Sequence, residues 1–157
     1  MQLWYFAYGS NLLRDQLTSR LGSSDYLGQP PRVANLAEHR LVFQTLTGGS
    51  PSFANLCRCG AGVTGVVYRF CPADFRALDR HESGYERRSL QVTDATGERL
   101  QAVAYVMRAE SAAHHDRPEP EYLNRIIRGA TEHGLSQAYI ASIIAIAGGG
   151  NGLPEAI

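Results

Sequence analysis

The sequence predicts a single α+β domain, and three observations point that way. Its 157 residues are one domain's length. Segments alternating with a period of two outnumber those with helical spacing. Adjacent strands are often joined with no helix between them, which argues against a doubly wound sheet. Strands in this number can close a small barrel, and periodicity alone leaves closure open.

The elements follow in order. Gln2–Ala7 alternates and is aromatic-rich, as a strand would be. Tyr8-Gly9-Ser10-Asn11 breaks it, and Leu12, Leu13, Leu17 and Leu21 then recur at helical spacing with Gly22 as the stop. Pro30–Leu36 and Leu41–Thr45 read as strands, with a loop at Gly48–Ser52. Val63–Phe70 is a strong strand in which Gly62 and Gly65 signal a bulge or a close backbone approach. Pro72 opens a helix through Phe75 and Leu78 to about Glu82, ended by Ser83-Gly84. Tyr85–Thr93 and Leu100–Met107 form a hairpin around Asp94–Gly97. Pro118 and Pro120 introduce a helix carrying Tyr122, Leu123, Ile126, Ile127 and Ala130, stopped by Gly134. A last helix at Gln137–Ile146 gives way to glycines, so the domain is expected over 1–147 with a Gly-rich tail at 148–157.

Composition excludes several function classes. Net charge is zero and no basic run exceeds Arg87-Arg88, so the stripe of a nucleic-acid binder is missing. All fifteen basic residues are arginine, which rules out Schiff-base chemistry and a phosphate-loop lysine. The longest apolar run, Ile140–Ala147, is too short to span a membrane, and the first residues lack a charged leader pattern. A cytoplasmic protein is expected, and a homodimer is compatible with it. Cys57, Cys59 and Cys71 are odd in number and poorly spaced for zinc. Cys57 and Cys59 alternate as on one strand face and read as small apolar filler. His114-His115-Asp116 reads as a solvated loop, and His39, His81 and His133 stand alone. No metal site and no cofactor are expected.

Two places suit chemistry. Around Gly9 the backbone is open to a ligand, and the N–H groups that follow favour a carboxylate or an oxyanion. The same residues also read as an ordinary helix cap by Ser10 or Asn11. Ser10 as a nucleophile lacks the flanking glycines of the hydrolase elbow, since Tyr8 and Leu12 stand there. Glu82 falls four residues after Leu78 and seven after Phe75, on the apolar face of its helix. Burial there, and the helix C-terminus, would raise its pKa toward proton transfer at neutral pH. Its other reading is a solvated side chain, or one paired with Arg87 or Arg88. Tyr122 shares a helix face with Ile126 and reads as a core-edge tyrosine.

Taken together, these segments resemble the γ-glutamylcyclotransferase-like family. Tyr5-Phe6-Ala7-Tyr8-Gly9-Ser10-Asn11-Leu12 is similar to its substrate-binding signature, and Leu78-Asp79-Arg80-His81-Glu82 to the segment ending in its catalytic glutamate. Tyr85-x-Arg87, Ala104-Tyr105-Val106, Tyr122–Ala130 and Glu132–Ile140 resemble later segments, so the likeness covers nearly the whole chain. It implies a small mixed β-barrel flanked by helices and no cofactor. It also implies a reaction in which a γ-glutamyl compound cyclises to 5-oxoproline and releases its amine. Glu82 would be catalytic, Tyr5, Phe6, Ala7, Tyr8, Gly9, Ser10 and Asn11 would bind the substrate through the backbone, and Tyr122 would contact it. Ser83 intervenes where family members often have glycine, and Tyr85 follows Glu82 closely. The amine portion is therefore open between a γ-glutamyl-amino acid, a γ-glutamylamine and an acyl-protected metabolite. A metabolite-binding module without catalysis is the alternative from another class.

Overall fold

The computed structural model describes residues 2–149. Five strands close a barrel: β1 (Leu3–Ala7), β2 (Arg32–Leu36), β5 (Val63–Phe70), β6 (Tyr85–Asp94) and β7 (Arg99–Met107), in the order β1-β5-β2-β6-β7. All pair antiparallel except β1 with β7, whose parallel contact at Trp4–Ala102 and Tyr5–Val103 completes the ring. A second sheet, β4-β3-β8, is built from β3 (His39–Leu46), β4 (Phe53–Arg58) and β8 (Ala112–His115). Among the described residues four α-helices flank the strands: α1 (Arg14–Leu21), α2 (Pro72–Asp79), α3 (Pro120–Glu132) and α4 (Gln137–Gly149). The mixed α+β barrel is the expected fold class.

The core is aromatic. Tyr5, Phe6, Tyr68, Phe70 and Phe75 are all but fully buried, and Tyr5 stacks on Phe70 with ring centres 4.6 Å apart. Gly65 sits where β1 and β5 meet. A Cβ there would overlap the Ala7 carbonyl oxygen and lie 2.8 Å from the Phe6 ring, so only glycine lets the strands approach.

Several boundaries differ from expectation, each for a local reason. The predicted helix from Leu12 is broken in two. Ser10–Leu12 is a single 3-10 turn, Leu13 is extended, and α1 starts at Arg14. Leu12 and Leu13 are both buried across this break. Gly22 ends α1 in the left-handed region with φ 75°. Helix α2 stops at Asp79, so Glu82 lies in the turn beyond it rather than on its apolar face. That turn is held by His81 N–H to Leu78 O and Glu82 N–H to Asp79 O.

His114 and His115 lie on β8, an edge strand paired to β3, and not in a loop. Backbone pairing makes this strand, and its exposed histidines gave no alternation to read. Cys57 lies half-buried near the end of β4, but Cys59 sits in the following turn at φ 67° and is exposed, so the two share no strand face. Helix α4 runs on through Gly148 and Gly149, and the expected tail from residue 150 lies outside the described residues.

Candidate active site

The barrel's β1 end, the second sheet and helices α1 and α3 enclose a cavity of about 280 Å³. That is near the lower edge of small-molecule sites, roughly 300–1,000 Å³. Its floor is the strand-to-turn segment at Tyr8–Asn11. No side chain caps this 3-10 turn, so Ser10 and Asn11 are not serving as a cap. The N–H groups of Gly9, Ser10 and Asn11 find no acceptor among the described residues, and all three residues line the cavity. Successive free donors of this kind form a ready anion site. Helix α3 holds the segment from behind, with Gly129 against the backbone of Leu12 and Leu13.

Glu82 faces this floor with its side chain 12% exposed. Asn11 Nδ2 donates to its Oε1 at 3.2 Å, and Arg20 Nη1 stands 3.9 Å away. Burial raises the Glu82 pKa to about 7, although Arg20 and the Asn11 hydrogen bond pull it down. The wall is completed by tyrosines. Tyr8 donates to Tyr105 O at 2.6 Å, Tyr85 donates to Ala54 O at 2.6 Å, and Tyr122 accepts from Ala54 N–H at 2.9 Å. Burial pushes all of these phenols up, Tyr122 to about 12, so they are neutral hydrogen-bonding groups at physiological pH. Among the described residues no cluster of His, Cys, Asp and Glu is placed to hold a metal, and no helix is long and apolar enough to cross a membrane.

Residues 62–143 match the AIG2-like family. The chain is 32% identical to a mouse γ-glutamylcyclotransferase over 152 residues, covering 90% of this chain and 77% of that protein. It is 31% identical to a human γ-glutamylcyclotransferase over 154 residues, with the same coverage. A solved γ-glutamyl cyclotransferase superposes with a TM-score of 0.78 at 29% identity, covering 93% of this chain and 88% of the other. The chain belongs to the AIG2-like family. It is an enzyme of γ-glutamylcyclotransferase type, with that fold.

Of the residues singled out in this AIG2-like sequence, the structure brings Tyr5, Tyr8, Gly9, Ser10, Asn11, Glu82 and Tyr122 to one cavity. Phe6 and Ala7 are not part of its lining. Phe6 points the other way from Tyr5, as strand alternation requires, and Ala7 turns its carbonyl toward Gly65. Ser10 Oγ is met by the Gln16 amide at 2.7 Å, a donor and not a base, which leaves a serine nucleophile without activation.

Sequence reasoning missed Arg20, Leu46, Phe53, Ala54 and Arg125, which come from α1, the second sheet and α3. It also read His81 as isolated, yet that residue lines the cavity beside Glu82. Its neighbour position was the one available signal. His133 stays outside, bonded to Leu12 O and Tyr68 beneath the Ser10–Leu12 turn.

Proposed function

We propose that this chain cyclises a γ-glutamyl compound to 5-oxoproline and releases the amine, with Glu82 carrying the proton. The observation that supports it most is a buried carboxyl, poised at about 7, in one metabolite-sized cavity with Gly9, Ser10 and Asn11, whose N–H groups have no acceptor among the described residues. The names of the family relatives give the same reaction class.

The substrate brings its own nucleophile, so no activated serine, cysteine or lysine is needed. The α-amine of the glutamyl group attacks its own δ-carbonyl and closes a five-membered ring. Holding that folded conformer can lower the barrier by several kcal/mol, through proximity alone. As the N–Cδ bond forms, Glu82 takes the proton that the attacking α-amine nitrogen gives up. The tetrahedral oxyanion or the α-carboxylate rests on the Gly9–Asn11 donors. When the bond from Cδ to the leaving nitrogen breaks, Glu82 returns the proton to that nitrogen. A pKa near neutrality serves both halves of this shuttle. We favour a γ-glutamyl-amino acid as substrate.

Incubation with a panel of γ-glutamyl-amino acids and γ-glutamylamines, read by mass, tests the reaction. We expect 5-oxoproline and free amine in equal amounts. Saturable binding with no product from any compound would favour a binding module instead. A pH profile tests the shuttle. kcat/KM should fall about tenfold per pH unit below 7, as Glu82 gains its proton, and level off above. A rate unchanged between pH 5.5 and 8, about the range over which this carboxyl titrates, would remove Glu82 from the step.

A further inference from the structure

Two arginines dictate how the amides beside Glu82 are turned. A guanidinium only donates, so whatever atom it bonds must be an acceptor. Arg20 Nη1 lies 3.1 Å from one end of the Asn11 amide, which is therefore its oxygen. Arg125 Nη1 lies 3.3 Å from one end of the Gln16 amide, which is its oxygen likewise. Gln16 must then turn its NH2 to Ser10 Oγ and Asn11 Oδ1, at 2.7 and 3.1 Å. Asn11 is left with its NH2 toward Tyr5 OH and Glu82 Oε1, at 3.0 and 3.2 Å. The run Arg125–Gln16–Asn11–Glu82 donates step by step toward the carboxyl, with side branches to Ser10 and Tyr5.

The consequence falls on the two Glu82 oxygens. Oε1 meets only donors, the Asn11 amide and, at 3.9 Å, the Arg20 guanidinium. A proton on Oε1 would face both. Oε2 has no partner among the described residues. We propose that Arg20 is a positioning residue: by locking the Asn11 amide it keeps Oε1 an acceptor and reserves Oε2 as the atom that takes and returns the proton.

This rests on the reading of Glu82 as the proton carrier, yet its geometry is independent of any substrate. His81, in the same turn, and Arg125 of α3 line the cavity with Glu82. The phenols around it are neutral at working pH. They are Tyr5 on β1, Tyr8 in the following turn, Tyr85 on β6 and Tyr122 on α3, and Asp79 of α2 adds a negative charge. Asp79 is held by Arg87 and Tyr105, which occupies its charge elsewhere. Arg20 is thus the one cation acting on this carboxyl within 4 Å among the described residues.

The test is a titration of the Glu82 carboxyl by NMR, with ¹³C-labelled glutamate in the full chain. In Arg20→Met the midpoint should rise by about half to one pH unit, and Arg20→Lys should recover most of the wild-type value. Gln16→Leu, which removes the second donor to Asn11 together with the Ser10 and Arg125 bonds but leaves Arg20 in place, should move it the same way by less. In the kinetic profile, Arg20→Met should lose rate several-fold at pH 6, about one unit below the Glu82 midpoint, with KM within about twofold. A midpoint unchanged in Arg20→Met overturns the proposal. So does a loss confined to KM, which would make Arg20 a substrate clamp. Because the titration needs no turnover, a failure of the cyclisation reading and a failure of this one are distinguishable.

Discussion

Glu82→Gln should lose roughly 10²–10⁴-fold in kcat while folding normally, because glutamine cannot exchange a proton and proton transfer of this kind supplies that much. Asn11 Nδ2 can still donate to the glutamine oxygen, so the wall of the site survives. The same substitution should stabilise the protein above neutrality. The folded pKa of about 7 lies above the ordinary 4.5, so the native state binds the proton more tightly than the unfolded chain does. Below about 4.5 the group is neutral in both states and costs nothing. Stability is lost as pH rises through 7, where a charge must be buried. The cost is on the order of 3–4 kcal/mol, at about 1.4 kcal/mol per pKa unit. Thermal melts should therefore show Glu82→Gln several degrees above wild type at pH 8, roughly 2–4 °C per kcal/mol, with the gap closing toward pH 5. A variant that melts identically at both pH values would mean that Glu82 is solvated. One that turns over at near-normal rate would end its role.

Gly129→Ala should destabilise the protein strongly. A Cβ at this α3 position would stand 2.5 Å from Leu12 C and from Leu13 N, and 2.7 Å from Leu12 Cβ. The first two are backbone atoms and cannot swing aside as a side-chain tip would. Alanine would gain about 1 kcal/mol of helix propensity. Overpacking against fixed backbone costs about 1–3 kcal/mol or more, and here the contact is with the substrate-side turn itself. The clash wins. We expect the melting temperature to fall by roughly 4–8 °C, and kcat/KM to fall with it as Ser10 and Asn11 are pushed from place. An unchanged melting temperature would show that α3 does not brace the turn.

How much of this was legible in the sequence varies with range. Strand β5 is read correctly at both ends, because its alternation and its glycines are local signals. The Tyr8–Asn11 segment and Glu82 stood out for the same reason. Glu82 was nonetheless placed on the wrong element. Helical spacing from Phe75 and Leu78 continued past Asp79, where the chain had already turned. The burial came out as expected, but tertiary packing supplies it in place of a helix face. Arg20, Gln16 and Arg125 carried no local mark at all, being polar residues on exposed-looking helices. Only the crossing of α1, α3 and the turn after α2 brings them to one carboxyl. Barrel closure was likewise beyond periodicity, since the parallel pairing of β1 with β7 joins segments almost a hundred residues apart.

The central claim is that the substrate's own amine, and not water, attacks the δ-carbonyl. It is tested most directly by running the wild-type reaction on a γ-glutamyl-amino acid in ¹⁸O-labelled water and weighing the product. Intramolecular attack keeps the original oxygen, so the account predicts 5-oxoproline without label, and none from Glu82→Gln. Linear glutamate carrying one ¹⁸O would contradict it and make the protein an amidase.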